Sequence, residues 1–222
     1  MNKLIGLCFC VMCGLLALCY DIFQNTNKSQ GTVVLAQKAY HNVKGGNTQR
    51  AFLVPKNLTP RQVEILKIAY QIAKEDGYRN PEILQGLILQ ESKAGGLKSY
   101  RVAGHELGAK TQYTKYYGVG QIKLIAAKEV LKKHPEMWKF MQTREDEEII
   151  ANLILNDEFN IRIASKYLLF ANNGKVDNMA ITAYNQGQAG AKNLNPDTWH
   201  YTVKVRAFSD SPEVKAVNAR SM

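Results

Sequence analysis

Hydrophobic positions recur at helical spacing from residue 57 onward, and they predict a series of short amphipathic helices. The first helix begins at Thr59, Pro60 and Gln62, which form an N-cap, a first-turn proline and a capping-box partner. Its end is predicted at Gly77. Apolar residues between these signals lie at helical spacing, and they are Val63, Leu66, Ile68, Ala69, Ile72 and Ala73.

Later segments carry similar signals for helix starts and ends. The further predicted helices run from Asn80-Pro81 to Gly95-Gly96, over 122–131 before Pro135, from a cap at Thr143, from Asp157 to Gly174, over 176–185, and from Asn195-Pro196 onward. No alternating strand pair or internal repeat interrupts them. We therefore predict an all-α single domain over residues 57–208, with at most a small β wing within 97–117, and a frayed tail over 209–222.

The N-terminal residues 1–20 have the pattern of an export segment. Lys3 precedes an apolar stretch without one charged residue, and a polar segment follows. Ala17 and Cys19 are small residues at suitable offsets for cleavage after them, whereas about 20 apolar residues are typical of a membrane anchor. A signal peptide or a retained anchor predicts an exported, periplasmic or cell-envelope protein, held at the inner membrane if the segment is retained. Residues 21–56 are polar and weakly periodic, which predicts a flexible tether.

Composition and charge narrow the function classes. The 222 residues are 45% hydrophobic and 22% charged, which is typical of a globular chain and excludes collagen, coiled coil and wholesale disorder. All four cysteines lie in the first nineteen positions, so the folded part has no disulfide framework, cysteine-bound zinc or thiol nucleophile. Lys3 supplies one of the net +10 charges, and the remaining +9 suit a polyanion such as nucleic acid, anionic lipid or acidic cell-wall polymer.

Glu91 is the main candidate for chemistry. It follows Leu84, Leu87 and Ile88 at the next helical step, which places a carboxylate on an apolar helix face near the C-terminal end. Burial and the negative end of the helix dipole both raise the pKa of such a group. A carboxyl that stays protonated near neutral pH is suited to protonate a leaving oxygen. The alternative is a boundary glutamate whose head reaches solvent, which is the more frequent outcome of this pattern.

Two glycines and a glutamine form a second candidate, at Gly118-Val119-Gly120-Gln121. A dinucleotide fingerprint is excluded, because Lys123 occupies the place of the third glycine and no strand precedes the segment. Glycines before a helix instead allow close approach of backbone to a ligand, and the Gln121 amide can hydrogen-bond a sugar. A plain loop-to-helix turn is the alternative.

The end of the sixth predicted helix and the start of the seventh add aromatic and amide groups. Tyr184 and Asn185 precede Gly187, a natural helix end, where a ring and an amide can face a cleft. Tyr201 starts another helical stretch. Taken singly, residues of this kind more often have packing or capping roles.

Taken in order, these segments resemble the catalytic domain of soluble (SLT-type) lytic transglycosylases, relatives of goose-type lysozyme, over residues 60–207. The matching motifs are Glu91-Ser92, Gly118-Val119-Gly120-Gln121, Ala183-Tyr184-Asn185-Gln186-Gly187 and the late Tyr201. Gly120 stands where the family usually has a larger apolar residue, and the 93–117 connection is longer than in compact members. The resemblance implies a lysozyme-like fold.

The resemblance also implies a mechanism. Glu91 protonates the β-1,4 oxygen between N-acetylmuramic acid (MurNAc) and N-acetylglucosamine (GlcNAc) and then, as a carboxylate, accepts the proton of the muramoyl C6 hydroxyl. That oxygen closes onto C1 as a 1,6-anhydro sugar, so neither water nor a second catalytic carboxylate is needed. The residues implied to position the glycan or to hydrogen-bond Glu91 are Ser92, Gln121, Tyr184, Asn185 and Tyr201.

Two other functions stay open, a hydrolytic lysozyme and a non-enzymatic basic module that binds cell wall. Glu106 is a candidate second carboxylate, although a solvated loop charge is its more frequent role. No cofactor or metal is expected, since Ala109 stands where a zinc-helix motif beginning at His105 needs its second histidine. The expected partners are peptidoglycan glycan strands, with an envelope-spanning secretion, conjugation or phage-entry machine left open. Nucleic acid is not expected, and membrane contact is expected only through the N-terminal segment.

Overall fold

The computed structural model describes residues 57–97, 102–103 and 115–219, which belong to one compact unit, Thr48–Met222. The predicted leader, the tether and Glu106 lie outside the described residues. The described part is all-α apart from one short two-stranded sheet. None of its helices combines the length and the hydrophobicity that a bilayer crossing requires.

Eight α-helices, one 3-10 helix and two short strands make up the described residues. In chain order they are α1 (Pro60–Glu75), α2 (Glu82–Ser92), β1 (Val102–Ala103), β2 (Tyr116–Tyr117), α3 (Leu124–Lys133), the 3-10 helix (Pro135–Phe140), α4 (Asp146–Leu155), α5 (Asp157–Ala171), α6 (Asn178–Ala191), α7 (His200–Ser209) and α8 (Pro212–Ala219). The strands pair antiparallel within the stretch that predicted a small wing.

Local signals set the start of α1 as the sequence predicts. The Thr59 hydroxyl accepts the Gln62 backbone N–H at 3.3 Å, and the Gln62 side chain accepts the Thr59 backbone N–H at 2.9 Å. This reciprocal capping box satisfies two backbone donors that have no partner inside the helix. The helix ends at Glu75, and Gly77 takes the left-handed φ of +75° that follows it.

The boundaries of α2 differ from the predicted ones. Its N-cap is Pro81, and no side chain caps the helix, so Asn80 does not have the predicted role. The helix ends at Ser92 because Lys93 and Ala94 adopt left-handed φ angles of 55° and 52°. The predicted stop at Gly95 is therefore late by about one turn.

The predicted cap at Thr143 is wrong. The N-cap of α4 is Glu145, and the Thr143 hydroxyl instead donates to the Glu148 carboxylate at 2.6 Å. The same carboxylate accepts the Gln142 backbone N–H at 2.8 Å. A glutamate within the helix thus holds the preceding turn, and the Thr143 hydroxyl accepts the Glu145 backbone N–H at 3.4 Å just before the helix begins.

The predicted frayed tail is also wrong over residues 212–219. These residues form α8, and its Val214 and Val217 are buried in the main core. Asn218 exchanges two hydrogen bonds with the buried Gln85 of α2, at 2.8 and 3.0 Å. Tertiary packing therefore orders a segment that has too few apolar residues to predict a helix by itself.

Close packing of α2 against α7 positions the candidate site. A Cβ on Gly86 would lie 2.4 Å from the Val205 carbonyl oxygen and 2.8 Å from the Ser209 nitrogen, so only glycine allows this approach of the two backbones. Gly86 lies beside the C-terminal half of α7, while Glu91 contacts Tyr201 at its start, so the helices run in opposite directions. The C-terminal end of α2 therefore meets the N-terminal end of α7.

Candidate active site

Glu91 occupies the last turn of α2, on the side that faces the core. Its carboxylate is partly buried and accepts a hydrogen bond from the Tyr201 hydroxyl. Burial raises the pKa of Glu91 from 4.5 to about 7, and the Tyr201 hydrogen bond opposes part of this rise. The sequence prediction of an elevated pKa agrees with this geometry.

No cation compensates the Glu91 charge within the part of the chain that the structure describes. The ion pairs of the described residues join other side chains, and none of them includes Glu91. No second described acid shifts the pKa of Glu91. The ionised form therefore lacks the usual stabilisation of a buried charge, which keeps the carboxyl protonated to an unusually high pH.

Tyr201 is the direct partner of Glu91. It is 4% exposed, and burial together with the negative charge of Glu91 raises the pKa of its phenol well above its usual range. The phenol therefore remains a proton-bearing donor at any pH at which the protein works. Because α7 is held by Gly86, the donor stays fixed relative to the carboxylate.

Ser92 lies beside Glu91 in the sequence but is buried in the protein interior. Its side chain is fully buried, and its hydroxyl donates to the Ile88 carbonyl at 3.3 Å and accepts the Gly95 N–H at 3.0 Å. A buried hydroxyl engaged in this way closes the turn that follows Glu91. The resemblance implies that Ser92 positions the glycan or hydrogen-bonds Glu91, and the structure gives its hydroxyl two backbone partners at the helix end.

The 118–121 loop takes a tight conformation that needs its glycines. Gly118 has a φ of +68°, and a Cβ there would lie 2.1 Å from the Leu153 carbonyl oxygen. Gln121 also has a positive φ of 52°, and its Nε2 donates to the Gly118 carbonyl at 2.8 Å. The side chain of Gln121 is partly buried and stays close to its own loop.

Asn160 of α5 hydrogen-bonds the backbone of this loop, and the sequence pattern did not identify it as a site residue. It is fully buried, and its Oδ1 accepts the Gly120 N–H at 2.7 Å. Its Nδ2 donates to the Tyr117 and Leu153 carbonyl oxygens, at 2.9 Å each. The available signal was its spacing, since Asn160 precedes Ala164 by four residues and so lies on the apolar stripe of α5.

Tyr184 connects the loop to the Glu91 region. Its hydroxyl donates to the Gly120 carbonyl at 2.7 Å, and its ring packs edge-on against Tyr167 at 5.5 Å between ring centroids. Burial and then the Glu91 charge raise the pKa of Tyr184 well above its usual range. Glu91, Tyr201, Tyr184 and the loop therefore form one neighbourhood, assembled from four separate stretches of sequence.

Asn185 lies at the exposed side of this neighbourhood. Its Oδ1 accepts a hydrogen bond from Gln186 at 2.6 Å and a longer one from the Trp199 indole at 3.4 Å. Gly187 breaks the helical geometry with a φ of 73°, as predicted, but α6 resumes and continues to Ala191. Trp199, which the sequence analysis did not select, thus joins the end of α6 to the start of α7.

The described groups of the site are suited to proton transfer. No three histidine, cysteine, aspartate or glutamate side chains converge as metal ligands in the described ranges. What the site offers is one protonable carboxyl, two tyrosine hydroxyls and an amide-bearing loop. Such an arrangement can protonate a leaving oxygen and can remove a proton from an attacking hydroxyl.

The chain was compared with known proteins by sequence and by structure. A scan against protein-family models and searches of curated proteins and of solved structures found no match to this chain.

Proposed function

We propose that this protein is a peptidoglycan lytic transglycosylase with a lysozyme-like fold. In this proposal it cleaves the MurNAc-GlcNAc β-1,4 bond and forms 1,6-anhydroMurNAc. The observation that carries the proposal is the single carboxyl of Glu91, with a pKa raised to about 7 and a hydrogen bond from Tyr201. The resemblance of the four motifs to SLT-type enzymes supports it further, since Tyr201 hydrogen-bonds this carboxyl and Tyr184 lies close enough for the Glu91 charge to raise its pKa.

The proposed reaction needs one group that acts first as an acid and then as a base. Glu91 gives its proton to the glycosidic oxygen as the bond from that oxygen to C1 breaks. The carboxylate then accepts the proton of the C6 hydroxyl, and the C6 oxygen forms a bond to C1. Glu91 thereby regains the proton that it gave up, and no water is consumed. A pKa of about 7 leaves both protonation states well populated near neutral pH, which suits both steps.

The residues around Glu91 have different roles in this proposal. Tyr201 orients the Glu91 carboxyl, and Tyr184 fixes the 118–121 loop through Gly120. Gln121 and Asn185 are the amide side chains of the site that retain solvent exposure, so they are the proposed glycan contacts. The excess of positive charge, +10 over the whole chain, would hold the enzyme near anionic wall polymers in the cell envelope.

Product analysis of digested murein tests the proposal. The full chain is incubated with purified murein, and the released fragments are identified by mass spectrometry. We expect 1,6-anhydroMurNAc ends. Reducing MurNAc ends would identify a hydrolytic lysozyme instead, and binding without any cleavage would identify a cell-wall-binding module.

A further inference from the structure

A cavity lies at the other end of the α2 and α7 helix pair. Its volume is about 540 Å³, and its polar lining consists mainly of Arg79, Asn80, Glu82, Arg206, Asp210 and Lys215. Glu82 and Glu91 are nine residues apart on α2, which corresponds to about 13 Å along the helix axis. Neither Glu91 nor Tyr201 lines this cavity, so it is separate from the candidate active site.

The cavity wall carries charges of both signs, and the Glu82 carboxylate also accepts a hydrogen bond from Asn218 at 3.4 Å. Arg79, Arg206 and Lys215 are cationic, while Glu82 and Asp210 are anionic, and none of them takes part in an ion pair among the described residues. The Nε of Arg206 donates to Asn178 at 2.7 Å, which fixes the side chain and leaves its terminal nitrogens for another acceptor. Such a wall is complementary to a ligand that itself carries both signs of charge.

An unpaired acceptor adds an independent observation. The side-chain oxygen Oδ1 of Asn80 is buried, yet it accepts no hydrogen bond from any described residue. The N–H of Ile83, which a capping asparagine side chain would satisfy, bonds instead to the Asn80 backbone carbonyl at 3.3 Å. Buried polar atoms are rarely left without a partner. Because this oxygen is closed to solvent, the Asn80 side chain has to rotate toward the cavity before a ligand N–H can reach it.

We propose that this cavity binds an amino acid or a short peptide that has a free ammonium group and a free carboxylate. The carboxylate lies against Arg79, Arg206 and Lys215, and the ammonium group lies near Asn80 with Glu82 and Asp210. The volume falls within the range of small-molecule sites and accommodates two or three residues. This binding does not depend on the catalytic proposal for Glu91.

Isothermal titration calorimetry of the full chain with alanyl-alanine tests both halves of the proposal. We expect binding of the free dipeptide, and binding at least about tenfold weaker for its N-acetylated form and for its C-terminal amide, because each lacks one charge-assisted contact. Undiminished binding of the acetylated form would reduce the cavity to a simple anion site. Absence of binding by the free dipeptide at millimolar concentration would also overturn the proposal.

Variants locate the binding and separate it from catalysis. Lys215→Gln and Arg79→Gln change exposed side chains of the cavity, and each should weaken dipeptide binding several-fold. Lys192→Gln removes the same charge from an exposed position that does not line the cavity, and it should leave binding unchanged. Equal effects of all three substitutions would show a general charge effect and contradict the site. Glu91→Gln should bind the dipeptide like the unmodified chain, whatever the outcome of the murein digestion.

The same titration distinguishes two sources of such a ligand. Free alanine represents the pool of amino acids, and peptides released from murein by cleavage of the amide bond to MurNAc, which leaves a free amino terminus, represent the cell wall. Tighter binding of these released peptides than of the dipeptide is the result expected if the ligand belongs to the cell wall. Tighter binding of alanine identifies a free amino acid and upholds the site while assigning it a different source.

Discussion

Two glutamates in this molecule occupy equivalent places and have opposite properties. Glu75 is the last residue of α1, and Glu91 is the penultimate residue of α2. The negative end of the helix dipole acts on both and disfavours ionisation in each. Nevertheless the pKa of Glu75 is lowered, whereas the pKa of Glu91 is raised to about 7.

The difference comes from tertiary surroundings. The Glu75 carboxylate accepts hydrogen bonds from Gln71 at 3.1 Å and from Arg162 at 2.9 Å, and both favour its ionised form. Glu91 is withdrawn from water, and Tyr201 is its hydrogen-bond donor. Position in a helix therefore does not decide the chemistry of a carboxyl; solvent access and the charge of its partners do.

The largest expected effect is on activity. Glu91→Gln should reduce murein cleavage by about 10²-fold or more, which is the usual scale for removal of a general acid. Glu75→Gln makes the same chemical change at the equivalent position of α1 and should leave the rate within about twofold, because an exposed glutamate in a surface ion pair contributes little. Equal rates for both variants and the unmodified chain would remove Glu91 from the mechanism.

The pH dependence of stability should have opposite signs at the two sites. The folded-state pKa of Glu91 lies above its ordinary value of 4.5, so its contribution is fully present below pH 4.5 and is lost as the pH rises through about 7. Relative to the unmodified chain, Glu91→Gln should gain up to about 3 kcal/mol of unfolding free energy over this window.

Glu75 provides the reverse case for the same measurement. Its lowered pKa stabilises the fold above its ordinary value of 4.5, and that stabilisation is lost as the pH falls. Glu75→Gln should therefore slightly lower the free energy of unfolding at neutral pH and leave it nearly unchanged in acid. Urea denaturation across this pH range measures both variants, and parallel pH profiles would contradict the comparison.

Removal of one hydroxyl should shift the pH profile of cleavage. Tyr201→Phe deletes the hydrogen bond that lowers the pKa of Glu91, so the loss of activity at alkaline pH should move to higher pH. We expect the rate at the optimum to fall about tenfold, in line with the loss of a hydrogen bond to a charged group. Tyr70→Phe is the matched control on α1, and a shift of the alkaline limb to lower pH would exclude the assigned role.

The smallest effect concerns the surface partner of Glu75. Arg162→Gln should raise the pKa of Glu75 toward its ordinary value, because a hydrogen bond and a neighbouring positive charge are both lost. The cost in stability should stay below about 1 kcal/mol, as for most exposed ion pairs. NMR titration of the Glu75 carboxyl measures the shift, and the titration of Glu91 should not change.

Local sequence was sufficient where the interacting atoms are close neighbours in the chain. The Thr59 and Gln62 capping box forms as predicted, since both partners lie within one helical turn. Spacing also put Glu91 on the apolar face of α2, although it left open whether the carboxyl is buried or reaches solvent. The predicted cap at Thr143 is wrong because α4 begins two residues later than the threonine would set it, with Glu145 as the N-cap.

Sequence alone could not identify contacts between distant segments. Asn160 and Gly120 are forty residues apart, and the hydrogen bond between them exists only after α5 packs beneath the loop. Ile125 is an apolar residue within the helix predicted over 122–131, yet it is 67% exposed because α3 begins at Leu124 and turns another face inward. Periodicity identifies a stripe, but the neighbouring helices decide which part of it is covered.

The sequence by itself determined that this chain folds as capped amphipathic helices, and it placed one acidic side chain on an apolar face. These properties depend on φ preferences, capping groups and helical spacing, which act over a few residues. Only the tertiary structure decided that Tyr201 meets Glu91 and that Arg162 meets Glu75, and so which carboxyl retains its proton near neutral pH. Burial and electrostatic coupling are properties of the packed molecule, because they depend on the water that packing removes and on the charges that it brings together.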